Sequence, residues 1–525
     1  MPVHHTVLDP FAFLERSAAI YAEKVAVIDG DLQFTYPELL ERVRRLAAAL
    51  QSFGLQHGDR VAVLSPNARM PLEATFAVPL AGGVLCAMNT RLAPQEIDYM
   101  LEHCAASYLI YDATLDELIE RLETAIPLIR AGGAARGARD YETVLRDAAP
   151  VTLVPNAPGE DDTISINYTS GTTGRPKGVM YTYRGAYLNA LAEVFHANVR
   201  PESVYLWTLP MFHCNGWCFP WAVTAAGATH VTLRRVDAAG INAAIANDGI
   251  THFCAAPTVL VALVNDPATV AFPRPITITT AGAPPSPTTI TQIEALGASL
   301  DHVYGLTETY GPITESAWKS PLWDGADTVE RARLKSRQGL PMITVGPGEV
   351  RVVDEHMNDV PRTGEIAGEI VMRGNNVMKG YYADREATKR AFAGGWFHSG
   401  DVAVIHPDGY LEITDRAKDI IISGGENIST QQVEKVLMSH AAVLEVAVVA
   451  IPSDRWGEVP KAFVTLKPGQ TAEAGELEHY ARERLAAFKV PKLYEFGVLP
   501  KTSTGKIQKY VLREREWAGK TKRVN

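Results

Sequence analysis

Short apolar runs separated by helix-length stretches recur through the first half of the chain: RVAVLS from Arg60, YLIYD from Tyr108, THVTL from Thr229 and ITHFCAAP from Ile250. A strand that must be followed by a helix before the next strand returns the chain in the same direction, so this rhythm predicts an α/β architecture with mostly parallel sheets. One such helix is expected over Pro37 to Phe53, where Leu39, Val43, Leu46, Leu50 and Phe53 share a face, Pro37 sits at a permitted first-turn position and Gly54 marks the stop. With 525 residues and about 150 residues per domain, three or four compact units are expected.

From about Val345 the texture changes to short, glycine-punctuated strand signals, EVRVVD and GEIVMRG, followed by DVAVIHPDGYLEITD, which reads as a β-hairpin turning at Asp408-Gly409. After Asp415 a smaller α+β module of about a hundred residues is expected. In it Ser429 and Gln432 form a candidate capping box, and EVAVVAIP and AFVTL read as strands. The most apolar stretch, Ala74 to Met88, is too short to span a bilayer and contains Pro79, Gly82 and Gly83, so it reads as a packed helix and loop with no stable membrane insertion.

Fifty basic against sixty acidic residues leave a net charge of −10, which repels polyphosphate backbones and argues against a nucleic-acid partner. Five cysteines without a framework pattern and an N-terminus without signal-peptide character suggest reduced thiols and a cytoplasmic location. A homodimer is the prior expectation for a soluble assembly.

The segment Tyr168 to Val179, YTSGTTGRPKGV, supplies the hydroxyls of Thr169, Ser170, Thr172 and Thr173, the glycines Gly171, Gly174 and Gly178, and Lys177. Glycines let backbone N–H groups approach an anion, hydroxyls add donors, and lysine adds charge, so such a loop can wrap phosphates. Its spacing is not that of a Walker loop. The complete string is the signature of the adenylate-forming superfamily, which the chain resembles from end to end with four further motifs in order. The resemblance implies an α/β fold with a large N-terminal adenylation part, residues 1–417, built of α/β subdomains plus a distorted β-barrel. A small mobile α+β domain, residues 418–525, would carry the catalytic lysine.

The resemblance implies site residues motif by motif. In YGLTET, Tyr304 lies against adenine, Thr307 on the α-phosphate and Glu308, with Thr169, on Mg²⁺. The loop AGAPPS passes Gly282, Ala283 and Pro284 beside adenine. Asp401 of GWFHSGD holds the ribose hydroxyls and Arg416 is the second ribose contact. Lys418 is the hinge, and Gly424, Gly425 and Glu426 of SGGENIS line the path of the pantetheine arm of coenzyme A. Lys506, in PKTSTGKIQK, is catalytic for adenylation. In FHCNGWCFPW, His213 closes over the carboxylate while Gly216 and Trp217 begin the acyl pocket. A metal cluster of Cys214, Cys218 and His213 lacks a second ligand pair.

The implied reaction joins a small-molecule carboxylic acid to coenzyme A at the expense of ATP through an acyl-adenylate, releasing AMP and diphosphate. No carrier domain follows Lys506, which favours a freestanding coenzyme A ligase over one loading a carrier protein. The absence of an acidic residue between Phe212 and Trp221 favours an uncharged acyl tail, and Trp217 with Trp221 favours short- to medium-chain acids or 3-(methylthio)propionate over long chains. An aromatic acid is the rival substrate. An inactive nucleotide or acyl-adenylate sensor is the rival class, disfavoured because Lys506, Glu308, Asp401 and the phosphate loop are intact.

Overall fold

The helix expected from Pro37 runs from Tyr36 to Ser52. Thr35 caps it, its hydroxyl accepting the Glu38 N–H while the Glu38 carboxylate accepts the Thr35 N–H at 2.7 Å; a cap of this kind stabilises a helix by about 1 kcal/mol. The chain leaves through Gly54 at φ +95°, a conformation glycine adopts without steric penalty. The computed structural model describes residues 6–135, 137–148, 159–169, 176–346, 348–416, 418–423, 426–453, 455–502 and 506–518.

All four apolar runs are strands of two large sheets. The first sheet has a parallel centre of Thr163–Thr169, Val84–Met88, Arg60–Leu64, Ala106–Asp112, Leu128–Ala131 and Ala138–Asp140, with Lys177–Thr182 and Gly380–Tyr381 added antiparallel at one edge. The second has Ala298–Leu306, Ile276–Thr280, His252–Ala255, Val204–Trp207, Thr229–Thr232 and Val25–Asp29 in parallel, with antiparallel strands at both edges. A core containing Phe76, Trp207, Phe219, Trp221 and Tyr310 fills the space between these elements. The Ala74 to Met88 stretch departs from the expected helix and loop. Its helix ends at Leu80, and Val84–Met88 is a central strand, since a strand buried on both faces carries no alternation to betray it.

The glycine-punctuated region folds as Val350–Val353, Gly368–Met372, Phe397–Ile405 and Leu411–Arg416, an antiparallel sheet containing the expected hairpin, with Gly409 at φ +90° in its turn. The expected distorted barrel is not closed among the described residues: Val350–Val353 and Leu411–Arg416 stand at opposite edges of four strands and do not pair. A large N-terminal part is followed by a small C-terminal one, whose sheet joins Ile421–Ser423, Glu426–Ile428, Val443–Ser453, Gly457–Leu466 and Leu493–Phe496 over its own apolar core. Ser429 caps the helix Thr430–Met438, accepting the Gln432 N–H at 3.1 Å, but no reciprocal bond closes the box, and the Gln432 carboxamide accepts from Lys489 at 2.7 Å. The five cysteines are free and buried, and no described helix is long and apolar enough to cross a membrane.

Candidate active site

Several of the expected site residues among those described lie where strands of the two large sheets end. In the second sheet Ile276–Thr280 and Ala298–Leu306 run parallel, with Thr280 opposite His302, so the segments after them leave the same edge. That edge is where open α/β sheets bind ligands. Gly282, Ala283 and Pro284 form an exposed loop there, Gly282 at φ +90°, before a helix capped by Ser286. Beside it Tyr304 lies near the end of the strand Ala298–Leu306, and Thr307, Glu308 and Thr309 make a single 3₁₀ turn. Gly305 fits because a side chain would strike the Gly311 carbonyl oxygen, 1.9 Å from where a Cβ would stand.

A polar corner joins this edge to the hairpin. The Tyr304 hydroxyl donates to Asp401 Oδ2 at 2.8 Å, and Arg416 Nε lies 3.3 Å from Asp401 Oδ1. Asp401 and Arg416 face each other across the hairpin ladder. Tyr304 and Asp401 are both buried. A carboxylate has about four acceptor directions, so Asp401 keeps capacity for a diol.

The first sheet contributes the mouth of the expected phosphate loop, where Thr169 and Lys177 face each other at the ends of adjacent antiparallel strands. Ser170, Gly171, Thr172, Thr173 and Gly174 lie outside the described residues, as do Gly424 and Gly425. Lys177 Nζ sits 4.8 Å from the Tyr381 ring centroid, and the Tyr381 hydroxyl donates to Glu308 Oε1 at 2.9 Å. Tyr381 thus bridges the loop lysine and the buried carboxylate. Burial raises the Glu308 pKa above the ordinary carboxylate range, only partly offset by the Tyr381 bond. A carboxylate costly to ionise alone is a fitting ligand for a divalent cation, and Thr169 supplies a second hard oxygen on a strand that touches the Glu308 turn.

Lys506 reaches the site from the small part. Its backbone is held by Thr502, whose Oγ1 accepts the Lys506 N–H at 3.1 Å and whose N–H donates to the Lys506 carbonyl at 2.7 Å. The ammonium is within electrostatic reach of Arg416, Asp401, Lys418 and Asp419, and of His213. Crowding by protein, then the Arg416 and Lys418 charges, lower its pKa to about 7 against the pull of Asp401 and Asp419. The side chain nevertheless keeps over a third of its surface open, so cleft water softens that depression. His213 is pushed down to about 4 by burial and by Lys506, so it is a neutral imidazole. Lys418, at the expected hinge, is lowered to about 8 by burial and Arg416. Glu426 is exposed at the start of the strand Glu426–Ile428.

Two models of known families match the chain: the AMP-binding enzyme over residues 14–382 and the AMP-binding enzyme C-terminal domain over residues 432–506. The chain belongs to the AMP-binding enzyme family. It is 44% identical to an acetate–CoA ligase of Humulus lupulus, over 97% of this chain and 95% of that one. It is 43% identical to a peroxisomal acetate/butyrate–CoA ligase of Arabidopsis thaliana, over 98% and 95%. Among solved structures, ATP-bound MatB from Rhodopseudomonas palustris superposes with a TM-score of 0.85 at 28% identity, over 97% of this chain and 99% of that one.

This AMP-binding enzyme also holds site features that the sequence did not announce. Cys214, Asn215, Gly216, Trp217 and Cys218 run consecutively at φ between +42° and +64°. Left-handed backbone costs about 1–2 kcal/mol per non-glycine residue, so surrounding contacts must hold this turn. Gly311, at φ +100°, packs against the Trp217 backbone, and Gly216 lies against the Trp207 ring. The Cys214 thiol donates to Thr307 Oγ1 at 3.6 Å, and Asn189 Nδ2 donates to Cys218 Sγ at 3.4 Å and to the Tyr310 carbonyl at 3.0 Å. Both thiols are therefore packed parts of the turn. Trp221 is core, edge-on to Phe76 with its indole N–H 3.4 Å from the Tyr310 hydroxyl. Asn215 is buried, and neither carboxamide atom has a hydrogen-bond partner among the described residues. Only Asn215 and the glycines hint at this turn, and the glycines' partners are remote in sequence.

Proposed function

We propose that this acyl-CoA ligase activates a short-chain aliphatic carboxylic acid, using Lys506 for the adenylation half-step. The observation that carries the reading is the convergence of Lys506 with His213, Asp401 and Arg416 beside the Thr307–Glu308 turn. In the first half-step the carboxylate attacks the α-phosphorus of ATP and pyrophosphate leaves. Two anions meet there, and a flexible ammonium at Lys506 lowers the barrier by stabilising the charge that accumulates. Neutral His213 adds no charge of its own and can donate to the acid through one ring nitrogen. Glu308 and Thr169 would hold Mg²⁺, which offsets phosphate charge when bound. In the second half-step the coenzyme A thiolate attacks the acyl carbon and AMP leaves. Lys506 is not needed for that displacement.

The size of the acid is read from Trp217. It is buried, and the turn that carries it is fixed by Gly311 and Trp207, so its indole has little freedom to clear a long tunnel. Relatives named for acetate and butyrate point the same way. A panel from acetate to palmitate, with 3-(methylthio)propionate and benzoate, tests this by pyrophosphate and thioester release with and without coenzyme A. Highest kcat/KM on acids of butyrate size is expected. A maximum on palmitate or benzoate overturns the size argument, and release insensitive to coenzyme A overturns the acceptor.

A further inference from the structure

The strand Leu411–Arg416 belongs to the large part, where Asp415 faces Val402 across the hairpin ladder. The helices Thr430–Met438 and Lys509–Trp517 belong to the small part. Between them runs the short segment through Lys418. Across it, the Thr430 hydroxyl donates to Asp415 Oδ1 at 3.0 Å and the Thr430 N–H donates to Asp415 Oδ2. Lys509 Nζ donates to Thr430 Oγ1 at 2.7 Å. Asp415 and Thr430 are fully buried. Lys509 begins the helix three residues after Lys506, so whatever fixes Lys509 also fixes where Lys506 can reach.

We propose that Thr430, oriented by the Lys509 ammonium, and Asp415 form a latch between the two parts that holds Lys506 at the site, which makes Thr430 and Lys509 positioning residues for adenylation alone. The proposal rests on the ligase reading above and deepens it. A rotation about the segment around Lys418 that withdraws Lys506 carries Thr430 and Lys509 away together, while Asp415 stays paired beside Val402. Bonds of this length do not survive a large reorientation. The latch can open without stranding a buried ammonium, because Lys509 keeps Glu434 of its own helix pair at 2.7 Å. By contrast, the ion pair of Arg513 with Asp419 lies wholly beyond Lys418 and would travel with the small part.

The test separates the half-steps. Lys509→Met and Thr430→Val are expected to lower ATP–pyrophosphate exchange by about tenfold, the loss for one hydrogen bond to a charged group, while thioester formation from supplied acyl-adenylate is unchanged or faster. Lys509→Arg, which keeps charge and donors, should recover most of the exchange. Equal loss in both half-steps, or none in the first, overturns the latch. A second measurement stands apart from activity: spin labels at Val270→Cys and Val498→Cys, both exposed positions in a chain whose own cysteines are buried. The inter-label distance distribution should broaden or shift in Lys509→Met, and an unchanged distribution overturns the latch. A parent enzyme that adenylates no acid would sink the ligase reading while leaving the distance result to judge the latch.

Discussion

The corner formed by Tyr304, Asp401 and Arg416 and the cation Lys506 belong to the same site but are held in opposite ways. The corner is assembled within the large part by direct bonds of 2.8 and 3.3 Å, with Tyr304 and Asp401 buried. Lys506 is an exposed residue, is held locally among the described residues by backbone bonds to Thr502, and reaches the corner's charges because the small part is docked there. On the proposed reading, recognition would be preorganised, whereas the charge that serves phosphoryl chemistry would be conditional on placement. An enzyme proposed to run two successive half-reactions would gain from that division, since a small part that can leave frees the site for the second acceptor.

Removing the conditional element should give the largest effect. Lys506→Ala is expected to lower acyl-adenylate formation by roughly 100- to 1,000-fold, as for loss of one contact to the charge that develops in the transition state. AMP affinity and the reaction of supplied acyl-adenylate with coenzyme A should stay near the parent values. A comparable fall in AMP affinity, read by calorimetry, would show that Lys506 is part of recognition and would erase the contrast.

Breaking the preorganised element should act earlier and less. In Asp401→Asn the Tyr304 hydroxyl keeps an acceptor, but Arg416 loses its counter-charge and a ribose its anionic partner. A loss of about 1.5–3 kcal/mol, or roughly 10- to 100-fold in kcat/KM for ATP, is expected. AMP binding measured directly should weaken in parallel, which Lys506→Ala would not produce.

The two regions also differ in how far the sequence revealed them. Asp401 lies midway along its strand and Arg416 ends the next one; the period-two pattern and the Asp408-Gly409 turn are local signals, and they alone put these two residues on facing strands. The left-handed run from Cys214 to Cys218 had a signal only at its centre. Asn215-Gly216 is a turn pair that tolerates positive φ, but nothing in cysteine or tryptophan extends it to five residues, and the whole run persists because Gly311 and Trp207 press on it from elsewhere in the chain. Tyr381 was silent, because its bridge between Lys177 and Glu308 exists only once the short strand Gly380–Tyr381 pairs with Lys177–Thr182. The Gln432 half of the expected capping box was lost for a similar reason, a tertiary lysine competing with a local bond.

That reading of the turn predicts a smaller effect at Gly311. Alanine there must hold φ near +100° and place its Cβ 3.1 Å from Trp217 Cα and Cβ. A stability loss of about 1–2 kcal/mol is expected, seen as a lower thermal midpoint. KM for the acid should rise while KM for ATP changes little. If ATP affinity falls equally, the turn is coupled to the corner and the two regions are not independent.

The smallest effect sharpens the comparison through pH. A lysine whose pKa is lowered to about 7 loses its charge as pH rises through that value, where an ordinary lysine would stay protonated. The adenylation kcat/KM should therefore fall several-fold on the alkaline side, with cleft water making the fall shallower than full burial would. Bound ATP adds negative charge beside the ammonium and favours its protonated form, so the alkaline limb of kcat should lie at higher pH than that of kcat/KM. Lys506→Arg replaces the titrating cation by one charged throughout, so any activity it retains should lack the alkaline limb. A limb that persists in Lys506→Arg would assign the ionisation elsewhere, with Lys418, lowered to about 8 beside Arg416, the next group to replace.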